Sequence, residues 1–165
     1  MPAAPHVRIA SLSDVEGVVA VLREAAQWLA DGGIPLWTPQ SFTPESLRTH
    51  IERAEVVIAE CLKEIVAVAL RLWEDPVIWP DRKPGEAGYI HKLSVKRSYA
   101  RQGLSERLVA WIAQDAQLNH RRYLRLDCAP RPALVSLYGR LGFRRVDERT
   151  IGPFLAVRFE KLLAE

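Results

Sequence analysis

The stretch from Leu93 to Leu108 constrains this chain most, because an apolar strand pattern ends there, a basic loop turns and an amphipathic helix begins. Leu104, Leu108, Trp111, Ile112 and Leu118 recur at helical spacing, which predicts a helix from Gly103 to about Asn119 with one buried face. Asp115 interrupts that stripe where another apolar residue is expected. A helix start leaves backbone N–H groups unpaired, and with the positive end of the helix dipole they suit an anion. Glycine at the turn lets a phosphate approach the backbone, and Arg97, Arg101 and Arg107 add full charges around it. Two readings are open on these residues alone: a pyrophosphate cradle, or a glycine-initiated helix that binds nothing.

The strand before the loop, Tyr89 to Val95, and a second run, Tyr123 to Cys128, are joined through this helix, so they are expected to pair in parallel across a helical crossover. Upstream, Val7 to Ala10 reads as a strand, and Ser13-x-x-Glu16 as a capping box opening a helix with core positions Val15, Val18, Val19, Leu22, Ala26 and Leu29. Gly32 and Gly33 stop it, and Thr43-Pro44 starts a second helix through Ile51. Val56 to Cys61 and Glu64 to Trp73 form a hairpin about Leu62-Lys63, and Asp75 to Gly88 is a polar, proline-punctuated loop. A short helix from Pro132 to Leu141 and strands around Phe143 to Val146 and Ala156 to Lys161 complete the chain. The expected fold is α/β (α+β), with a mixed, mostly antiparallel sheet flanked by helices and a parallel β-α-β unit at the basic loop. At 165 residues, 1–165 is expected to be a single domain.

Composition narrows the function classes. A formal charge of +3 is too small to argue nucleic-acid binding, and the clustered Arg121, Arg122 and Arg125 read as a solvated helix-to-strand turn. Glu60, Lys63 and Glu64 break the longest apolar run, which argues against a membrane span. Cys61 and Cys128 lie in strand patterns without metal or redox spacing, so reduced buried thiols, a cytoplasmic setting and no metal are expected. The start, Met1 to Val7, shows no secretion signal.

Two further segments give the basic loop a context. Arg125 to Cys128 closes the second strand, and Leu137 to Phe143, containing Tyr138 and Gly142-Phe143, closes a helix into a strand. With the loop from Ala100 to Ser105, they resemble the acyl-CoA-dependent N-acetyltransferases of the GNAT superfamily, over roughly Arg8 to Leu162 and most securely Tyr89 to Phe143. In that family a Gln/Arg-x-x-Gly-x-Gly/Ala loop holds the CoA pyrophosphate. Here Gly103 matches, Ala100 stands at the first position and Ser105 at the last, and Arg131 stands where many members carry asparagine. Ser105 is small enough to keep the backbone accessible, and Arg101 or Gln102 could replace the missing side chain.

The resemblance implies acetyl-CoA as co-substrate, held by the main chains of Leu93 and Val95 and by Arg101, Gln102, Gly103, Leu104 and Ser105. It also implies that Tyr138 protonates or hydrogen-bonds the departing CoA sulfur, where the bland reading of the residue is a core tyrosine. His91 is the side chain on this strand whose ordinary pKa suits a base, although a strand histidine is also commonly just packed. Tyr89, His91, Leu93 and Val95 are expected to share one face by alternation. Trp37 and Phe42 either line a site or plug the core end, while the family's acceptor region implies that Trp28 and Trp37 contact the acceptor, a primary amine of a small molecule or peptide. Aromatic walls would suit an amphipathic amine, or a cationic one stacked on an indole. The chain is expected to act without nucleic acid or membrane, as a monomer or homodimer. Other classes are a non-catalytic acyl-CoA sensor of the same fold and an RNA-binding module using the basic loops.

Overall fold

The computed structural model describes residues 3–164. Met1 and Pro2, where the N-terminal signal reading begins, lie outside them. Helices and strands follow in the order β1 (His6–Ile9), α1 (Val15–Asp31), α2 (Pro44–Glu52), β2 (Val56–Cys61), β3 (Glu64–Leu72), β4 (Ala87–Val95), α3 (Leu104–Leu118), β5 (Tyr123–Cys128), α4 (Pro132–Arg140), β6 (Arg144–Ile151) and β7 (Phe154–Leu162). The strands make a seven-stranded mixed sheet in the order β1-β2-β3-β4-β5-β7-β6, with β4 and β5 the parallel pair. The expected fold class is thus the observed one. Among the described residues no helix is long and apolar enough to cross a membrane.

The chain divides into two compact units, Met1–Leu70 with Lys92–Leu108, and Arg71–His91 with Val109–Glu165. In the first, Leu62 and Lys63 both take left-handed φ (51° and 68°), the geometry of a two-residue hairpin turn between β2 and β3. The α1 stripe is buried at Val18, Val19, Val21, Leu22 and Ala26 against Val56, Ile58 and Val68. The helical start is not capped at Ser13 and Glu16 as expected. Asp14 instead accepts from the Ser11 amide at 2.7 Å, and a short 3₁₀ turn, Leu12–Asp14, precedes α1. Asp14 prevails as the capping acid because Arg8 also grips it, at 2.7 and 2.9 Å, and this pairing holds its carboxyl down at about 2.

In the second unit β5 pairs antiparallel with β7, and β7 with β6. The cluster of Arg121, Arg122 and Arg125 is not uniformly a solvated turn. Arg125 is 2% exposed, donates to Glu160 at 2.7 Å and lies 3.4 Å from Glu86, so its charge is paired inside. Asp115, the break in the α3 stripe, forms an ion pair at 3.0 Å with the buried Arg71. A polar residue on the apolar face is therefore compensated by an opposite charge. Leu118, expected on that face, is exposed at the helix end. Cys61 and Cys128 are buried free thiols, and burial pushes the Cys128 thiol up to about 11.

Candidate active site

Within the first unit, the chain leaves β4 and makes a short 3₁₀ turn, Arg97–Tyr99. Lys96 anchors the turn through Glu64 at 2.6 Å, and the Tyr99 hydroxyl donates to the same carboxylate at 3.1 Å. Arg101 and Gly103 follow with left-handed φ of 62° and 74°. The first amide bond of α3 is Arg107 N–H to the Gly103 carbonyl at 3.1 Å, so the amides from Gly103 to Glu106 have no intrahelical acceptor. A Cβ on Gly103 would meet only the Glu106 carboxylate, at 3.9 Å, which leaves the backbone open to a close approach. Arg101 and Gln102 are exposed, Ser105 is half-buried, and Leu104 is buried, its side chain serving the core. The arrangement can receive an anion on main-chain donors.

Leu93 and Val95 lie on β4 just before this turn. The ladder between β4 and β5 covers Ala87 to Ile90, although β4 runs on to Val95. Lys92 has a φ of 55°, and a left-handed residue inside a strand is a bulge that breaks the pleat. The expected sharing of one face by Tyr89, His91, Leu93 and Val95 therefore does not extend through Lys92. Tyr89 is buried while His91, Leu93 and Val95 are half-buried.

In the second unit His91 Nε2 lies 2.9 Å from Asp75 Oδ2, and Asp75 also accepts from the Ile78 amide at 3.2 Å. Asp75 is 9% exposed, so the imidazole is tethered by a nearly buried carboxylate. A neutral His91 donating through Nε2 presents Nδ1 as an acceptor. Asp75, His91 and Asp127 each offer one ligand atom, all within 4.8 Å of one another, and by donor type the trio could hold a divalent cation. Asp75 was not evident from the sequence as part of a site. Its only signal is the Asp-Pro start of the loop after β3, an arrangement typical of turns.

Tyr138, on α4, packs edge-on to Phe143 (centroids 6.1 Å apart) and tilted on Phe159 (5.8 Å). Burial raises its hydroxyl well above the ordinary tyrosine value, with the Cys128 thiol and the Asp127 carboxylate adding to the effect. It keeps its proton throughout the neutral range and is therefore available as a hydrogen-bond and proton donor.

A cavity of about 340 Å³ in the first unit is lined by Leu36, Trp37, Thr38, Ser41, Phe42, Ser46, Leu47, His50, Leu70 and Lys92. Trp37 and Phe42 meet edge-on at 6.2 Å on its wall, and Phe42 is also part of the core, with Trp37 packed against it. Trp28 is not among the lining residues. It is 50% exposed on α1 with the Arg97 guanidinium 4.0 Å from its ring centroid, and so it packs under the basic loop. The cavity's cation, Lys92, gave no sequence signal, because alternation does not reveal a bulge.

Residues 26–155 match the family model described as an acetyltransferase (GNAT) domain. The chain is 31% identical over 156 residues to an uncharacterised N-acetyltransferase, YesJ, of Bacillus subtilis (strain 168), covering 90% of this chain and 84% of that protein. Among solved structures, the PaiA N-acetyltransferase of Thermoplasma acidophilum in complex with coenzyme A superposes with a TM-score of 0.78 at 15% identity, covering 97% of this chain and 99% of that one. A GNAT-family acetyltransferase of Streptococcus agalactiae gives 0.83 at 10% identity, covering 100% and 99%.

Proposed function

We propose, from the premise that the chain belongs to the GNAT acetyltransferase family, that it transfers an acetyl group from acetyl-CoA to a primary amine of a small molecule or peptide by direct attack on the thioester. The observation that carries this reading is the turn from Arg101 to Glu106, where two left-handed residues and a first helical turn of unpaired amides form an anion cradle. The CoA pyrophosphate would sit on the amides of Gly103, Leu104 and Ser105, with Arg101 and Gln102 beside it. The coenzyme A complex of the Thermoplasma neighbour is consistent with that ligand.

Each chemical demand of the reaction then has a candidate group. The amide N–H groups of Leu93 and Val95 would polarise the thioester carbonyl and hold the pantetheine arm, a role that the bulge and the short β4–β5 ladder favour by freeing main-chain groups. An alkyl ammonium near its usual pKa of about 10.4 must lose a proton before its nitrogen can attack. His91, held by Asp75, takes that proton directly or through water. Attack forms the C–N bond and the tetrahedral centre collapses with cleavage of the C–S bond; Tyr138 passes its proton to the leaving thiolate, and the second proton shed by the acceptor nitrogen replaces it. Trp37 forms the wall against which the acceptor lies.

Calorimetric titration with acetyl-CoA tests the cradle. Gly103→Glu should weaken binding by roughly tenfold or more, since it places a carboxylate where the pyrophosphate belongs. Equal affinity in the variant contradicts the assignment.

A further inference from the structure

We infer that His50 sets the choice of acceptor: the cavity beside Trp37 takes an amine whose apolar body carries a hydroxyl, and His50 Nε2 accepts the hydrogen bond that this hydroxyl donates. This deepens the transferase reading and rests on it for the acceptor's amine. The cavity walls are apolar at Leu36, Trp37, Phe42, Leu47 and Leu70, and the volume of about 340 Å³ is enough for one aromatic ring with a short chain.

The fold prepares this histidine. Leu47 and Ile51 bury one side of α2 in the core, and His50 stands on the last turn of that helix. The helix ends into Ala54, which takes a left-handed φ of 56°, and the Glu55 amide donates back to the His50 carbonyl at 2.9 Å. That return carries the Glu55 carboxylate to His50 Nδ1, 2.6 Å away. A carboxylate only accepts, so Nδ1 holds the proton and the neutral ring keeps Nε2 as an acceptor. The imidazole lines the cavity and Glu55 does not, so the anchor lies outside the pocket and Nε2 is the ring nitrogen left for an occupant.

The neighbouring polar walls ask for the same chemistry. Ser41 Oγ donates to the Thr38 carbonyl at 2.6 Å and Ser46 Oγ to the Thr43 carbonyl at 3.0 Å, so both hydroxyl protons are used within local turns. The Lys92 ammonium lies against aromatic rings, 4.6 Å from the Trp37 centroid and 5.9 Å from that of Phe42. A hydroxyl on the occupant therefore meets an oriented acceptor, whereas an occupant without one covers Nε2 and leaves it unpaired.

The test needs no turnover. In isothermal titrations with coenzyme A present, tyramine is compared with phenethylamine, which differs from it only in lacking the phenolic hydroxyl. The wild type should bind tyramine roughly fivefold or more tightly, the scale of one neutral hydrogen bond. His50→Leu should bring the two amines to equal affinity with phenethylamine still bound, and His50→Gln, which restores an oxygen acceptor, should keep the preference. Equal affinities in the wild type, tighter binding of phenethylamine, no binding of either amine, a preference that survives in His50→Leu, or loss of phenethylamine binding in that variant would each overturn the inference. A failure of all amines to accelerate thiol release would count against the transferase reading alone, because the binding ratio is read without catalysis.

Discussion

Tyr138 and the His91–Asp75 pair divide the proposed proton traffic between a donor and an acceptor, and each can be tested singly. Tyr138→Phe removes one hydroxyl from a ring whose packing on Phe143 and Phe159 it leaves intact, so the maximal rate should fall about tenfold or more with acetyl-CoA affinity nearly unchanged. Steady-state kinetics with calorimetry would check this, and an unchanged rate returns Tyr138 to a packing role. His91→Ala should remove the acid limb of the pH–rate profile. Asp75→Asn should lower the rate at the same acetyl-CoA affinity, because it loosens the ring's tautomer and orientation. Persistence of the limb in His91→Ala would assign deprotonation elsewhere. Of these residues Tyr138 and His91 were legible, the first through the Tyr-x-x-x-Gly-Phe pattern and the second through its chemistry. Asp75 was not, since its link to His91 is a contact between a loop and a strand that local pattern does not record. Lys92 was hidden for another reason: its left-handed φ reverses the alternation on which side-chain direction was judged.

Elements whose periodicity is fixed by burial, such as α1, α3 and β2, agree with their sequence pattern to within a few residues. The departures occur where a partner elsewhere sets the boundary. Strand β6 runs Arg144–Ile151 although it is mostly exposed and rich in charge, because β7 pairs with it along its length and extends to Phe154–Leu162. The helical start shifted to Ser11 because Arg8 recruits Asp14. Likewise Asp115 looked like a flaw in the α3 stripe until Arg71 supplied its charge partner. Asp115→Ala should therefore destabilise the protein by about 3 kcal/mol in urea unfolding, because it removes the carboxylate paired with a buried guanidinium, whereas the double replacement Arg71→Met with Asp115→Leu should recover much of the loss. A near-neutral single variant would show that Arg71 is satisfied by its stacking on Trp73, 3.9 Å from that ring centroid.

Across the whole molecule, acid sensitivity should follow carboxylates paired with arginine. Asp14, held by Arg8, and Asp81, held by Arg158, are both lowered to about 2. A carboxyl depressed in the folded state stabilises it above its unfolded pKa of about 3.9, and that stability is lost as pH falls through 4 toward about 2. Thermal melts should show a decline over that window, and Arg8→Ala should flatten it in part; a decline of the same depth in the variant would contradict the assignment to Asp14. The proposed activity is acyl transfer to amines. Thiol release from acetyl-CoA, followed with and without a broad panel of amines, amino acids and peptides, tests it most directly. At least one primary amine should accelerate release and be recovered as its N-acetylated product. Tight acetyl-CoA binding with no acceptor-dependent release across the panel would contradict it and favour a non-catalytic acyl-CoA sensor.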